Sequence, residues 1–293
     1  MDEHTKEVQK DLLQAMSAVI PAAITDSTVV IVGANTPAVR HFGTGTLFSV
    51  ADRKFVVTAA HVIHSARADQ STLGISGEVS NFIATPDSWF VSNGYQGSNG
   101  KDVFDVAVCA LNEDQVAKLR NRIFLRLSDI SFSDDLSHGY FLISGFPQIW
   151  STACDQQVDT MKLRLLHFST FSYQGDTSAL GGYDARYHLL LDAKHDEILD
   201  ESGDRFEFRM RSGASARMPN DLHGVSGCSV WQIGDLRTPA NQWRSDQTRL
   251  VAVETSVYPK RSLIKATRWK AVSTLIYTAF PELRSAIEMH ANL

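Results

Sequence analysis

Three residues of this chain have the types that nucleophilic catalysis needs, and the first is a serine in a glycine-flanked turn. Ser226 stands between Gly224 and Gly227, and an apolar strand pattern follows it. A serine hydroxyl is a weak nucleophile near neutral pH, so it needs a general base within hydrogen-bonding reach and a third group that orients the base. The interpretation of Ser226 as a nucleophile therefore depends on finding both groups elsewhere in the chain.

Two upstream residues have the right chemistry for these roles. His61 follows a β-branched run that ends at Thr58, so we expect its side chain beyond the end of a strand, where it can enter a cleft. Asp105 leads into the apolar segment 106–111, where an unpaired carboxylate would be costly to bury and needs hydrogen-bonding partners. Singly, the three residues could be a structural histidine, a turn-capping aspartate and a loop serine. Their joint occurrence favours a catalytic site.

The elements that would position these residues are short strands. β-branched and aromatic runs alternate with turn residues, and only a segment near 113–120 interrupts them with a helical pattern. This arrangement predicts a β-barrel or a β-sandwich, with a junction between two halves near 145–155. The predicted strands are 28–32, 45–50, 54–58, 82–84, 105–111, 123–125, 140–143, 162–173, 187–192, 205–210 and 250–257.

Apolar residues three and four apart predict a helix at each end of the chain. The first covers 3–20 and ends at Pro21, and the second covers 271–293 and is broken or kinked at Pro281. We expect the N-terminal helix to pack on the main domain, with binding of a partner through this helix as the alternative. Acidic residues on its polar face disfavour a membrane-surface role.

Composition and charge indicate a folded protein that binds neither nucleic acid nor membranes. The 293 residues are 43% hydrophobic and 21% charged, and the net charge of −5 gives no broad attraction to nucleic acid or anionic lipid. The polar N-terminus lacks the pattern of a signal peptide, and no apolar run has the length of a membrane span. Cys109, Cys154 and Cys228 are too widely spaced for a disulfide framework, so we interpret them as reduced thiols. Together these features predict a cytoplasmic protein.

No metal or organic cofactor is predicted. His61 and His64 are close in sequence, but no acid or thiolate stands near them to complete a metal site. The acidic stretch 195–204 lacks the spacing of a calcium loop and is interpreted as a solvated loop. No glycine motif for phosphate binding is present, and the tryptophans lack the interleaved basic residues of a nucleic-acid stacking platform.

The three candidate residues stand in motifs that resemble those of the chymotrypsin/trypsin-like serine peptidase family. The motifs T-A-A-H at 58–61, D-V-A at 105–107 and G-x-S-G at 224–227 occur in the family's order of histidine, aspartate and serine. The resemblance covers roughly 29–257, and the long separation between Asp105 and Ser226 implies insertions around 155–220. Within the family, the chain most resembles bacterial members that are not made as zymogens.

This resemblance implies an all-β fold of two six-stranded antiparallel β-barrels, to which the sequence pattern adds an N-terminal helix and a C-terminal helix. We therefore divide the chain into four parts. These are a helical leader (1–25), a first β-barrel with His61 and Asp105 (26–150), a second β-barrel with Ser226 (151–270) and a C-terminal helix (271–293).

The resemblance also implies the roles of the candidate residues. Ser226 would attack a peptide carbonyl, and His61 would take its proton and later deliver it to the leaving amine, while Asp105 would hold the second imidazole nitrogen. The backbone N–H groups of Gly224 and Ser226 would form the oxyanion hole, and glycine at 224 suits a conformation that other residues resist. The predicted activity is that of a serine endopeptidase that cleaves protein or peptide substrates through an acyl-enzyme.

Two positions near the nucleophile depart from the family pattern. Val225 stands where secreted zymogens carry an aspartate that pairs with a newly cut N-terminus, so another contact must order the loop. Cys228 and Ser229 replace the usual Gly-Pro. We interpret Cys228 as a small buried residue, with a redox-sensitive thiol as the alternative.

Substrate specificity is expected to depend on two further segments. By the resemblance, Asn220 lies near the floor of the primary pocket, and Thr255, Ser256 and Val257 belong to the strand that pairs with the substrate backbone. Because Asn220 carries no charge, we expect a preference for uncharged or small side chains over Arg or Lys.

Two other functions stay open. The chain could be a low-turnover or inactive trypsin-like module that binds or regulates a partner. It could also be a hydrolase that acts on esters or on one dedicated partner, because acyl transfer is common to all these reactions.

Overall fold

The structure is a computed structural model. It describes residues 19–35, 38–76, 82–92, 103–148, 152–155, 158–193, 207–209, 215–217 and 222–291. The predicted helix 3–20 lies outside these residues except at its last two positions, and Asn220 lies outside them altogether.

The first half of the chain forms an antiparallel sheet with seven strands in the described residues. They are β1 (Thr28–Asn35), β2 (Ala38–Val50), β3 (Arg53–Ala59), β4 (Thr72–Ser76), β5 (Phe82–Ala84), β6 (Phe90–Val91) and β7 (Val106–Ala110). Their order across the sheet is β5-β4-β1-β2-β3-β7-β6. A tight turn, with Ala51 at a φ of 48°, joins β2 and β3, which match the predicted strands 45–50 and 54–58.

The second half forms an antiparallel sheet with six strands in the described residues. These are β8 (Gly139–Gly145), β11 (Leu166–Phe171), β12 (His188–Asp192), β15 (Ser229–Asp235), β16 (Arg249–Tyr258) and β17 (Leu263–Arg268). Their order is β11-β8-β15-β16-β17-β12, and a bridge between Ser172 and Leu191 links the two edges. Two separate hairpins are formed by β9 (Thr152–Asp155) with β10 (Val158–Lys162) and by β13 (Glu207–Arg209) with β14 (Ser215–Arg217).

This topology confirms the predicted fold class, which is mostly β with two antiparallel sheets. The first sheet differs from the expected six strands, since it includes the short edge strands β5 and β6. Strand β8 pairs in the second sheet, so the chain passes between the sheets before the boundary predicted at 150. The predicted strand 123–125 is wrong, because Leu125 makes only an isolated bridge to Phe48.

The described residues contain five short helices. They are α1 (Ala22–Asp26), α2 (Ala60–Ala68), α3 (Glu113–Ala117), α4 (Trp269–Ala279) and α5 (Arg284–Ala291), with 3-10 turns at 127–129, 240–242, 245–247, 259–261 and 281–283. The sequence pattern had predicted α3 and a C-terminal helix interrupted at Pro281, but not α2. In the described residues, no helix has both the length and the apolar character needed to cross a membrane.

The two sheets and the C-terminal helices share one hydrophobic core. Its largest fully buried side chain is Trp269, whose ring meets Phe48 of β2 edge to face at 5.2 Å between centroids. Trp231 of β15 and Leu250 of β16 belong to the same cluster, as does Phe55 of β3. Aromatic pairs of this kind add to the stabilisation from buried area. The shared core fixes the position of one sheet against the other.

Candidate active site

His61 is the second residue of α2, which follows directly on the end of strand β3. The helical period leaves His61 on the exposed face of this helix. The buried face is formed by Ala60, Val62, Ile63 and Ala66. The sequence analysis expected His61 just past a strand end. In the structure His61 does lie just past the end of β3, and the chain there continues directly as helix α2.

His61 and Asp105 form a closely bonded pair. The Nδ1 of His61 lies 2.8 Å from Oδ2 of Asp105, and the backbone N–H of His61 donates to Oδ1 at 2.8 Å. The backbone N–H of Ala60 donates to the carbonyl of Asp105 at 3.0 Å. Because Asp105 holds Nδ1, the neutral ring carries its proton there, and Nε2 is left as the acceptor that a general base needs.

Asp105 reaches this position through an unusual backbone conformation. Its φ is 50°, a left-handed value that aspartate and asparagine adopt more readily than most residues. Thr267 of β17 donates its hydroxyl to the neighbouring carbonyl of Phe104 at 2.6 Å, so the second sheet helps to hold this segment. The turn presents both carboxylate oxygens to His61.

The pKa of His61 is raised above 6.5. Burial by itself lowers it, but the hydrogen bond to Asp105 and the charges of Asp105 and Glu254 act in the opposite direction and outweigh burial and the charge of Lys265. The imidazolium form is therefore favoured by its surroundings.

Ser226 lies in a tight turn whose two glycines have left-handed backbones. Gly224 has a φ of 88° and Gly227 a φ of 89°. A Cβ on Gly227 would lie 2.1 Å from Oγ1 of Thr58, and one on Gly224 would lie 2.6 Å from the backbone nitrogen of Gln148. Both positions therefore require glycine for conformation and for space.

The backbone of this turn leaves two N–H groups available. The carbonyl of His223 accepts from the N–H of Gln148 at 2.7 Å, and the carbonyl of Val225 accepts from the N–H of Cys228 at 3.0 Å. In a trans peptide the N–H points opposite to the carbonyl, so these two bonds orient the N–H groups of Gly224 and Ser226. Neither N–H donates to another described residue. These are the two groups that the sequence analysis proposed for an oxyanion hole.

Thr44 of β2 orders the loop around Val225 through two hydrogen bonds. Its hydroxyl donates to the carbonyl of Gly224 at 2.7 Å, and its backbone N–H donates to the carbonyl of Ser226 at 2.9 Å. His41, buried beneath the loop, has a pKa lowered to about 4, chiefly by burial, and is therefore neutral near pH 7. The loop is thus held by neutral hydrogen bonds, with Val225 fully buried in the core of the second half.

Cys228 is also fully buried at the end of this loop. Burial raises the pKa of its thiol well above the ordinary value, which keeps the thiol neutral. This environment fits the interpretation of Cys228 as a small buried residue.

His61, Asp105 and Ser226 all line one cleft of about 940 Å³. Thr255, Ser256 and Val257 of β16 line the same cleft, as the sequence analysis expected for the substrate-binding strand. Glu254 and Lys265 also line it, and neither was predicted as a site residue. Lys265 is 7% exposed, and its Nζ donates to the carbonyl of Gly182 at 3.4 Å.

Glu254 is the least expected member of the site. It is 1% exposed, and its side chain lies in hydrogen-bonding reach of the side chain of Ser226. By contrast, no hydrogen bond joins Ser226 to His61 in the described part of the chain. A signal for Glu254 exists in the sequence, because it is the one acid within the otherwise apolar or hydroxyl-bearing run 250–258.

The chain is similar to several solved structures at low sequence identity. No protein-family model matches the chain, and no curated protein matches it. Similar solved structures include a Glu endopeptidase (15% identity, covering 89% of this chain and 93% of that chain, TM-score 0.48). The thermostable serine protease AL20 from an extremophilic microorganism is 11% identical, with 88% and 98% covered and a TM-score of 0.48. The scabies mite inactivated protease paralogue S-I1 is 15% identical, with 90% and 98% covered and a TM-score of 0.49.

Proposed function

We propose that this protein is a serine endopeptidase that uses Ser226, His61 and Asp105. The observation that carries the proposal is the pair of hydrogen bonds that fixes His61 on Asp105 in the cleft that also holds Ser226. A histidine with its Nδ1 on a carboxylate and its Nε2 unbonded has the orientation of a general base. The proposed substrates are proteins or peptides, and the reaction needs no cofactor.

The steps follow from the positions of these groups. The Oγ of Ser226 forms a bond to the substrate carbonyl carbon, its proton passes to Nε2 of His61, and the carbonyl electrons move onto oxygen. The N–H groups of Gly224 and Ser226 donate to this oxyanion, and Asp105 stabilises the imidazolium. His61 then protonates the leaving amine, which departs and leaves an acyl-enzyme. A water molecule, activated by His61, hydrolyses the acyl-enzyme and restores Ser226.

Charge in the cleft bears on specificity. The ammonium group of Lys265 would repel a cationic substrate side chain, which supports the expectation from Asn220 that Arg and Lys are not preferred. A peptide library that varies the residue before the cleaved bond tests this point. Cleavage restricted to sites after Arg or Lys would contradict it.

Covalent labelling by a fluorophosphonate tests the proposed nucleophile. We expect the wild type to be labelled at Ser226 and the Ser226→Ala variant to be unlabelled, because the probe forms its bond only to an activated serine. The exposed Ser245→Ala variant is the matched control and should be labelled like the wild type. If the wild type is never labelled, the proposal fails.

One observation favours a second candidate, a low-turnover or inactive module that binds or regulates a partner. The hydroxyl of Ser226 makes no hydrogen bond to His61 in the described residues, and the carboxyl group of Glu254 lies within its reach. A protein of this kind would bind peptides in the cleft and label slowly or not at all. Equilibrium peptide binding by a wild type that shows no labelling would favour this second function.

A further inference from the structure

The backbone of Glu254 is fixed next to the loop that carries Ser226. Its carbonyl accepts from the N–H of Gly227 at 2.8 Å, and its N–H donates to the carbonyl of Cys228 at 2.9 Å. These bonds tie Glu254 to the two residues that follow Ser226. The backbone of Glu254 therefore cannot move away from Ser226 without disrupting the loop.

The carboxyl group of Glu254 is buried and incompletely bonded. Its Oε2 is buried without a hydrogen-bonding partner, although the side chain of Ser226 is within reach of the group. A buried carboxylate with an unmet oxygen is costly unless it exchanges its charge for a proton. Glu254 thus has two accessible forms, a charged one and a neutral one, with different hydrogen bonds.

The two forms make different demands on the Ser226 hydroxyl. A charged carboxylate can only accept, so it takes the hydrogen of Ser226. A neutral carboxyl group can donate its own hydrogen to the Oγ of Ser226, which leaves the serine hydrogen free to point at Nε2 of His61. Attack on a substrate needs the second arrangement.

We propose that Glu254 is a positioning residue that competes with His61 for the hydroxyl of Ser226, withholding the nucleophile when it is charged and releasing it when it is neutral. This inference rests on the proposed serine endopeptidase function. It also gives a physical reason for the missing bond between Ser226 and His61.

Burial of Glu254, offset in part by its neighbours, places this exchange near neutral pH. Burial raises the pKa of Glu254 to about 7, and the charge of Asp105 adds to the effect, while His61, Ser226 and Lys265 oppose it. The buried Cys228 is neutral and adds no charge. His61 must itself be neutral to act as a base, and its pKa is raised. The reactive form, with both groups neutral, is therefore depleted at low pH by protonation of His61 and at high pH by ionisation of Glu254.

The test is the pH dependence of the fluorophosphonate labelling rate in the wild type and in Glu254→Gln. The wild-type rate should follow a bell, falling at low pH as His61 is protonated and falling about tenfold for each pH unit well above 7 as Glu254 is ionised. Glutamine mimics the neutral acid, so Glu254→Gln should lose the alkaline fall and keep the acid one. Glu113→Gln, at an exposed position in α3, is the matched control and should retain the bell.

Three results would overturn the inference. A wild-type rate that rises to an alkaline plateau like that of Glu254→Gln would remove the competition, with the proposed function intact. A variant slower than the wild type at every pH would show that the charged form assists catalysis. Failure of the wild type and of both variants to label at any pH would remove the proposed function as well.

A second measurement needs neither activity nor a folded Glu254 variant. The infrared carbonyl band of a protonated buried carboxyl group should titrate near pH 7 in the wild type. In Ser226→Ala the midpoint should move to higher pH, because the hydroxyl that stabilises the charged form is gone. An unchanged midpoint would show that Ser226 does not bond to Glu254 and would contradict the inference.

Discussion

The two halves of the candidate site differ in how completely their hydrogen bonds are made. On the side of the first sheet, His61 and Asp105 are joined through a side chain and a backbone group, and both carboxylate oxygens are used. On the side of the second sheet, the backbone of the loop around Ser226 is equally well fixed, but the Ser226 side chain makes no hydrogen bond to His61 in the described residues and lies within reach of Glu254. The proposed base, His61, is already oriented by Asp105, whereas the Ser226 hydroxyl can bond to either Glu254 or His61. Control of activity should therefore act on Ser226 rather than on His61.

The largest effect should come from removing the charge that presets the base. Asp105→Asn keeps a residue that tolerates the left-handed backbone, but its amide can donate to Nδ1 and favour the wrong ring tautomer. We expect kcat to fall by about 10⁴-fold in a peptide-cleavage assay. Asp52→Asn, at an exposed turn, is the control. A loss of less than about tenfold would mean that the pair is structural.

Displacing the loop around Val225, which holds the N–H groups of Gly224 and Ser226, should have the next largest effect. Gly224→Ala adds a Cβ only 2.6–2.7 Å from Gln148, His41 and Phe146, so the loop must shift. We expect kcat/KM to fall by about 10² to 10³, the effect of losing one oxyanion donor. Gly182→Ala carries a similar strain at a φ of 74° but meets no atom within 4 Å. Equal losses in the two variants would trace the effect to backbone strain instead of the hole.

The ionisation of Glu254 should also appear in stability. Folding raises its pKa from 4.5 to about 7, so the folded state binds this proton more tightly than the unfolded state. Its contribution is complete below pH 4.5 and is lost as the pH rises to about 7, a decline of about 3 kcal/mol in the free energy of unfolding. Urea unfolding of the wild type and Glu254→Gln at about pH 5 and about pH 8 measures it. The wild type should lose more stability than the variant over this range, and parallel changes would refute the assignment.

The smallest expected effect concerns the residue that orders the loop. Thr44→Val removes the hydroxyl that donates to the carbonyl of Gly224 and accepts from the N–H of Phe146, so both backbone groups lose a hydrogen bond. The free energy of unfolding should fall by about 1–3 kcal/mol. Thr44→Ser keeps the hydroxyl and should retain most of this stability. If both variants are equally destabilised, the lost methyl packing is responsible instead.

The sequence predicted the parts of this site that depend on local pattern. The motifs around His61, Asp105 and Ser226 identified residues that the structure brings to one cleft, and strand patterns predicted the fold class. Helix α2 was missed because its buried alanines and valine follow directly on a strand pattern. Glu254 was missed for a different reason. Its closeness to Ser226 depends on the register of β15 against β16, in which Ser229 faces Val253, and no local pattern fixes a register between distant strands.

The core shared by both sheets around Trp269 links the candidate site to cooperative unfolding. Opening either half would expose apolar surface that the other half and α4 now cover, so neither half gains by separating alone. The proposed base, His61, comes from one half and the proposed nucleophile, Ser226, from the other. Loss of labelling and loss of tertiary structure should therefore share a single denaturation midpoint, and two fragments divided between the sheets should regain a site only by reassociating.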